Sequence, residues 1–288
     1  MTAVPPAGSF AVASADEMAA VDRRTISEAG LPATVLMERA ALACVAQLPA
    51  DVAEVVVLAG PGNNGGDGFA IARILVERGV GVTLLVPRVP AEGTVAALQR
   101  DLAVRWGARL CAIGDAADVL RRTPVWVDAL LGNGGRPGGA NPVAELIELA
   151  ASIQRSATTP PWVLAVDLPS GVNPDTGGTS GEVIAANTTV CLGAARWGVL
   201  LAPGAAVSGR VFVAPIGFFP PALAEISARW WSGADLRESA PHWPLTAHKG
   251  VRGRVRVVAG SSRMPGAAVL AAGAALAGGA GYVCMDGP

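Results

Sequence analysis

The chain has 288 residues, of which 51% are hydrophobic and 16% charged, with a formal net charge of -1. That is enough apolar material for one large domain and something smaller, and near-neutrality excludes the basic footprint of a nucleic-acid binder or a membrane-surface patch. The four cysteines, Cys44, Cys111, Cys191 and Cys284, form no C-x-x-C pair, which argues for reduced thiols and against a zinc site. The first residues lack the basic start and apolar stretch of a secretory leader, and no apolar run is long enough to span a bilayer. A soluble cytoplasmic protein without membrane or nucleic-acid partners is expected.

In chain order, Ser14 and Glu17 form a capping box ahead of a helix with Met18, Val21 and Ile26 on one face and Gly30 as its stop. A second helix is expected over 32–48. Strands and helices then alternate: a strand over 55–58, a helix over 67–78, a strand over 82–86, a helix over 94–106, and strands near 109–112 and over 125–127. A helix over 142–152 leads to strands over 162–166, 188–192 and 211–213. The alternation predicts an α/β fold, a Rossmann-like three-layer αβα sandwich with a mostly parallel central sheet. After Pro220 the texture shifts to Ala, Pro, Ser and Trp. The expected organisation is a domain over 1–225, a linker over 226–245 and the start of a second domain over 246–288. That last piece supplies a strand over 254–258 and an alanine-rich helix, too little to bury its own apolar faces.

The stretch VVVLAGPGNNGGDGFAIA, residues 55–72, carries the most information. An apolar β-branched run breaks into a glycine-rich loop and re-enters a helical pattern, so backbone N–H groups and a helix dipole converge on an anion-sized space. A loop built only for phosphate needs glycine, so Asn63, Asn64 and Asp67 suggest ligation or chemistry as well. The match to G-x-G-x-x-G (Gly60, Gly62, Gly65) is weak evidence for a nicotinamide dehydrogenase. The second strand ends at Pro87-Arg88 with no carboxylate to hold a ribose, which disfavours that reading. Two further strands end alike. One runs into Asp128 and then Gly132-Asn133-Gly134-Gly135-Arg136-Pro137-Gly138; the other runs into Asp167, followed by Leu168-Pro169-Ser170-Gly171. Any single aspartate here fits a turn or cap. Ligands of an open parallel sheet bind beyond the strands' carboxyl ends, so the three ends would gather Asn64, Asp67, Asp128, Asp167 and Ser170 around one crevice.

GPGNNGGDG at 60–68, VDALLGNG at 127–134 and AVDLPSGVNPDTG at 165–177 together resemble the NAD(P)H-hydrate epimerase family. The resemblance runs from the first helix to about Pro215. The segment from His248 onward, HKGVRGRVRVVAGSSRMPGAAV, resembles the opening of the ribokinase-like NAD(P)H-hydrate dehydratase domain that follows the epimerase in bifunctional repair enzymes. The resemblance implies interconversion of the R and S forms of hydrated NADH and NADPH, with the hydrated dinucleotide as substrate and K+ as cofactor. It implies substrate contacts at Asn63, Asn64, Gly65, Gly66 and Asp67, at Gly132, Asn133, Gly134, Gly135, Arg136, Pro137 and Gly138, and at Asp167. It also implies potassium ligands at Asn64, Asp128 and Ser170, hard oxygens that suit an alkali cation better than zinc.

Epimerisation at a carbon bearing both a hydroxyl and a ring nitrogen needs loss of hydroxide, a planar iminium-type intermediate and re-addition of water. One carboxyl acting as acid and then base is sufficient, and Asp167 is expected in that role. Asp67 is expected to be kept ionised by the helix N-terminus and to position substrate. Glycines 132–138 are expected under the pyrophosphate, with Arg136 to pair with it. One departure stands out: where relatives often carry Lys-Pro before a glycine, this chain has Arg196-Trp197-Gly198, which puts any role needing a lysine in doubt. A homodimer or higher homo-oligomer is expected, with no nucleotide-dependent dehydration by the 246–288 piece. The alternatives are a non-catalytic nucleotide- or protein-binding scaffold of the same fold and a small-molecule kinase.

Overall fold

The computed structural model describes residues 9–133, 141–179, 181–231, 233–240 and 242–286. It divides into two compact units, Met1–Asp235 and Leu236–Pro288. In the first, β1 (Phe10–Ala13), α1 (Ala15–Ser27) and α2 (Ala33–Val45) precede an alternating series. The series runs β2 (Glu54–Ala59), α3 (Asn63–Glu77), β3 (Gly81–Leu85), α4 (Val95–Trp106), β4 (Arg109–Cys111), α5 (Ala116–Arg122), β5 (Val125–Ala129), α6 (Pro142–Ser156) and β6 (Trp162–Val166). Then follow β7 (Thr188–Leu192), β8 (Ala195–Arg196), α7 (Gly204–Val207), β9 (Arg210–Ala214), α8 (Pro220–Ala224) and β10 (Arg229–Trp230), and the division between the units falls within α9 (Gly233–Ser239).

The central sheet has seven strands in the order β4-β3-β2-β5-β6-β7-β9, and every pairing in it is parallel. β2 alternates between two cores. Val55, Val57 and Ala59 join the cluster that includes residues of α1, α2 and α3, whereas Val56 and Leu58 join the cluster under α5 and α6. Two covered faces make the expected three-layer sandwich. The chain builds outward from β2 to β4, then returns to the other side of β2 at β5. Between β2 and β5 lies the switch point where such sheets bind ligands.

The capping box forms as the sequence predicts: Glu17 N donates to Ser14 Oγ at 3.2 Å and Ser14 N to the Glu17 carboxylate at 2.7 Å. Thr25, not Ile26, completes the buried face of α1, with Ile26 38% exposed. The Thr25 hydroxyl donates back to Val21 O and so can be buried. α2 stops at Val45, short of the expected 48. α5 and the strands β1, β8 and β10 are additions to the sequence reading. β1 pairs with β8 in parallel and with β10 in antiparallel fashion, so Arg229–Trp230 belongs to a small sheet of the first unit.

The larger departure is at α3, which begins at Asn63 rather than Asp67. What reads as a phosphate loop is the first turn of the helix, and its glycines answer to packing. A Cβ on Gly65 would run into the Gly60 carbonyl oxygen, and one on Gly68 would lie 2.6 Å from Ala129 Cβ. One on Gly66 would lie 2.7 Å from the Met37 methyl. Glycine therefore lets the helix start wedge against the ends of β2 and β5. Gly65→Ala is expected to destabilise the fold by about 1–3 kcal/mol in chemical denaturation. Gly62→Ala, which meets nothing within 4 Å, is expected to lower it by less.

In the second unit, β11 (Arg254–Val258) and β12 (Tyr282–Asp286) pair in parallel, joined through α10 (Gly266–Ala277). Val258, Leu270 and Met264 of this unit are exposed. Among the described residues, no helix is long and apolar enough to cross a membrane.

Candidate active site

Beyond the carboxyl ends of β2, β5, β6 and β7 lies a cavity of about 520 Å³, a volume suited to a small molecule. Its walls are apolar, from Met18, Leu36, Met37, Leu130, Ile216 and Phe218. Its polar groups are Asp22, Asn63, Asn64, Asp67, Asn133, Asp167 and Arg196. Asp22, one of the first-helix residues that carry the family resemblance, was not expected at the site, and Arg196 was singled out with no named partner. Asp22 stands on the half-buried side of α1, a position that a capped amphipathic helix does reveal.

Asp167 follows β6 in the left-handed region, φ 68°, the only non-glycine residue at positive φ among the described residues. An aspartate there costs on the order of 1 kcal/mol and needs its surroundings to hold it. They do so from three sides. Asp167 N donates to Val190 O at 2.8 Å, Leu192 N reaches Asp167 Oδ1 at 3.4 Å, and Arg196 Nη2 lies 2.9 and 3.2 Å from the two carboxylate oxygens. Arg196 is itself buried, 3% exposed. Its Nη1 donates to Ala194 O at 2.7 Å and its Nε to Asn133 Oδ1 at 3.0 Å, while Asn133 Nδ2 donates to Ala15 O at 2.7 Å. This forked geometry is particular to a guanidinium, so arginine at 196 is a fully used residue. The assembly carries a fixed carboxylate–guanidinium pair at the cavity wall.

Asp67, in the first turns of α3, is buried, and its carboxyl makes no hydrogen bond or ion pair among the described residues. Burial, and then the negative charges of Asp167 and Asp22, push its carboxyl well above the ordinary range. The expectation that a helix N-terminus keeps Asp67 ionised is thus reversed. The carboxyl is on the helix itself, past the free N–H groups of the first turn, and desolvation prevails.

Asp128 and Ser170 are brought together but face away from open solvent, 0% and 1% exposed. Ser170 Oγ donates to Asp128 Oδ1 at 2.6 Å and Ser170 N to Oδ2 at 2.7 Å, with Leu130 N at 3.3 Å from Oδ1. Leu131 N in turn donates to Ser170 Oγ at 3.0 Å. The cluster ties the ends of β5 and β6. Burial pushes the Asp128 carboxyl up to about 6, against the lowering effect of the Ser170 and Leu130 hydrogen bonds. Asn64 packs against Gly132, where a Cβ would meet its side chain at 2.9–3.0 Å. Its Nδ2 is buried with no partner, an orphan of the kind that marks ligand sites. Among the described residues no three His, Cys, Asp or Glu side chains gather in a metal-holding group. Gly65 and Gly66 are buried under α3's first turn; of the second glycine stretch, Gly132 and Asn133 reach the cavity. Gly134, Gly135, Arg136, Pro137 and Gly138 lie outside the described residues.

The family described as YjeF-related protein N-terminus matches residues 33–198, more than half the chain and all four strand ends of the cavity. The chain belongs to this family. An NAD(P)H-hydrate epimerase of Weissella koreensis is 41% identical over 215 residues, covering 73% of this chain and 92% of that protein. A bifunctional NAD(P)H-hydrate repair enzyme of Salinibacter ruber is 35% identical, covering 96% of this chain and 54% of that one. The chain thus spans about half the length of the bifunctional relatives it matches. The crystal structure of yeast ynu0 superposes with a TM-score of 0.60 at 23% identity, over 73% of this chain and 94% of that one, and shares the fold.

Proposed function

We propose that the chain is an NAD(P)H-hydrate epimerase that interconverts the R and S forms of hydrated NADH and NADPH in cytoplasmic repair of damaged nicotinamide nucleotides. The observation that carries this reading is the ion-paired, conformationally strained Asp167 on the wall of the cavity at the switch point. The names borne by the relatives point the same way. Asp167 takes part in proton transfer at the hydrated ring carbon, and Arg196 holds it in place. The turn from Asn63 to Asp67, with Gly132 and Asn133, surrounds the substrate; Gly134 to Gly138 and Arg136 take the pyrophosphate.

A monovalent cation, K+, fits the chemistry of Asn64, Asp128 and Ser170. The three side chains can offer an amide, a carboxylate and a hydroxyl oxygen, and Asp128 is a buried carboxyl with no cationic partner among the described residues. Bound there, K+ would supply positive charge beside the carboxylates. We further propose that residues 246–288 begin a ribokinase-like dehydratase domain and that the epimerase assembles as a homo-oligomer.

Chromatographic or NMR interconversion of purified epimers of hydrated NADH tests the reading, with potassium exchanged for choline. Interconversion that is faster in potassium is expected. Saturable dinucleotide binding without interconversion would instead support the scaffold alternative.

A further inference from the structure

The cavity holds three carboxyl groups, and the protein treats them differently. Asp167 has a guanidinium on both oxygens. Asp22 on α1 is half-buried. Asp67 is 7% exposed and has no donor at all among the described residues. The packing explains how such a group is held. Gly66 and Gly68 flank it, each in a space that a Cβ would overfill, against Met37 on one side and Ala129 and Val57 on the other. The backbone is pressed against α2 and α4 at Gly66 and against β5 and β2 at Gly68, and Asp67 between them lines the cavity. A buried carboxyl without donors or a counter-ion is stable only in its neutral form.

Resting on the epimerase reading, we infer that Asp67 is the proton donor in one direction of the reaction and that Asp167, held by Arg196, is the proton acceptor, the two roles exchanging in the reverse direction. In the first half, the Asp67 O–H bond breaks as its proton passes to the hydroxyl oxygen on the hydrated ring carbon. The C–O bond breaks, its electron pair leaving with the oxygen as water, and the ring nitrogen lone pair forms the C=N bond of the iminium. In the second half, water adds through a lone pair to the other face and the π electrons return to nitrogen. The added water releases its proton to Asp167. The pair begins and ends with one proton, and no oxidant or reductant enters; exchange with solvent returns the proton to Asp67. Two carboxyls in different surroundings, one without a donor and one ion-paired to a guanidinium, are the usual arrangement of an acid and a base in one site.

The titratable groups facing Asp67 are Asp22 from α1, Cys44 from α2 and Asp167 beyond β6. Burial, then Asp67 and Asp167, push the Cys44 thiol far up, so it is neutral and contributes no charge. The Coulombic effects of Asp167 and then Asp22 both favour a proton on Asp67. A group neutral in the fold stabilises it only at low pH. That contribution is complete below the ordinary carboxylate range and is lost as pH rises through the raised folded value.

Three measurements on the full chain test the inference. The wild-type kcat for epimer interconversion is expected to fall on the alkaline side, as the donor loses its proton. Asp67→Asn is expected to lower kcat by about 10²–10⁴-fold with KM little changed, and to melt higher than wild type at alkaline pH, the gap closing on acidification. Infrared difference spectra at neutral pH are expected to show a neutral carboxyl C=O band in wild type that is absent from Asp67→Asn. Raised KM with kcat retained would make Asp67 a binding group and overturn the inference, as would an active wild type without the band. A wild type that shows the band but interconverts no epimers overturns the epimerase reading instead.

Discussion

Asp167→Asn is expected to slow epimer interconversion by about 10²–10⁴-fold, the usual effect of removing a general acid–base group. The structure adds a second consequence. Arg196 is 3% exposed, and the asparagine leaves its guanidinium with hydrogen bonds to Ala194 O and Asn133 but no opposite charge. Breaking a buried pair from one side typically costs about 3–5 kcal/mol, so the variant is also expected to melt well below wild type. A less stable protein is a poor witness to catalysis, and a double variant separates the two effects. Asp167→Asn with Arg196→Gln removes both charges and leaves amides able to pair. It is expected to recover most of the stability and none of the rate. Wild-type turnover in a fully folded Asp167→Asn would remove this residue from the chemistry. Recovery of rate in the double variant would mean that the single change acted only by stranding Arg196.

The strand ends were legible because their signal is local. The apolar runs 125–127 and 162–166 are followed at once by Asp128 and Asp167, and a parallel sheet turns that pattern into one crevice. The start of α3 was not legible, because glycine has two meanings. It frees a loop, and it also permits close approach; only the neighbouring Gly60, Met37 and Ala129, set by the fold, show that the second applies. The protonation of Asp67 was hidden for a related reason. A helix N-terminus favours the charged form, while burial and two carboxylates from distant elements oppose it. Arg196 lies 29 residues from Asp167 at the end of a two-residue strand, too short to show periodicity. The small sheet of β1, β8 and β10 was missed on the same ground.

The Asp128 cluster yields the second large expected effect. Asp128→Ala leaves Ser170 N, Ser170 Oγ and Leu130 N without their acceptor in a fully buried place. An orphaned buried donor costs about 1–3 kcal/mol, so a loss of several kcal/mol in thermal or urea unfolding is expected whatever ion is present. Stability alone therefore cannot report on a cation here. The dependence on potassium can. A ligand at ten times its Kd stabilises the folded state by about 1.4 kcal/mol, so wild type should melt higher in potassium than in choline at equal ionic strength. Asp128→Asn keeps one oxygen to accept from Ser170 but loses the charge that a cation would neutralise. It is expected to melt at the same temperature in both salts, and to epimerise at a rate that no longer responds to potassium. If wild type itself shows no difference between the salts, the cluster is a structural tie between β5 and β6 and no cation site. If Asp128→Asn keeps the full potassium response, the cation lies elsewhere.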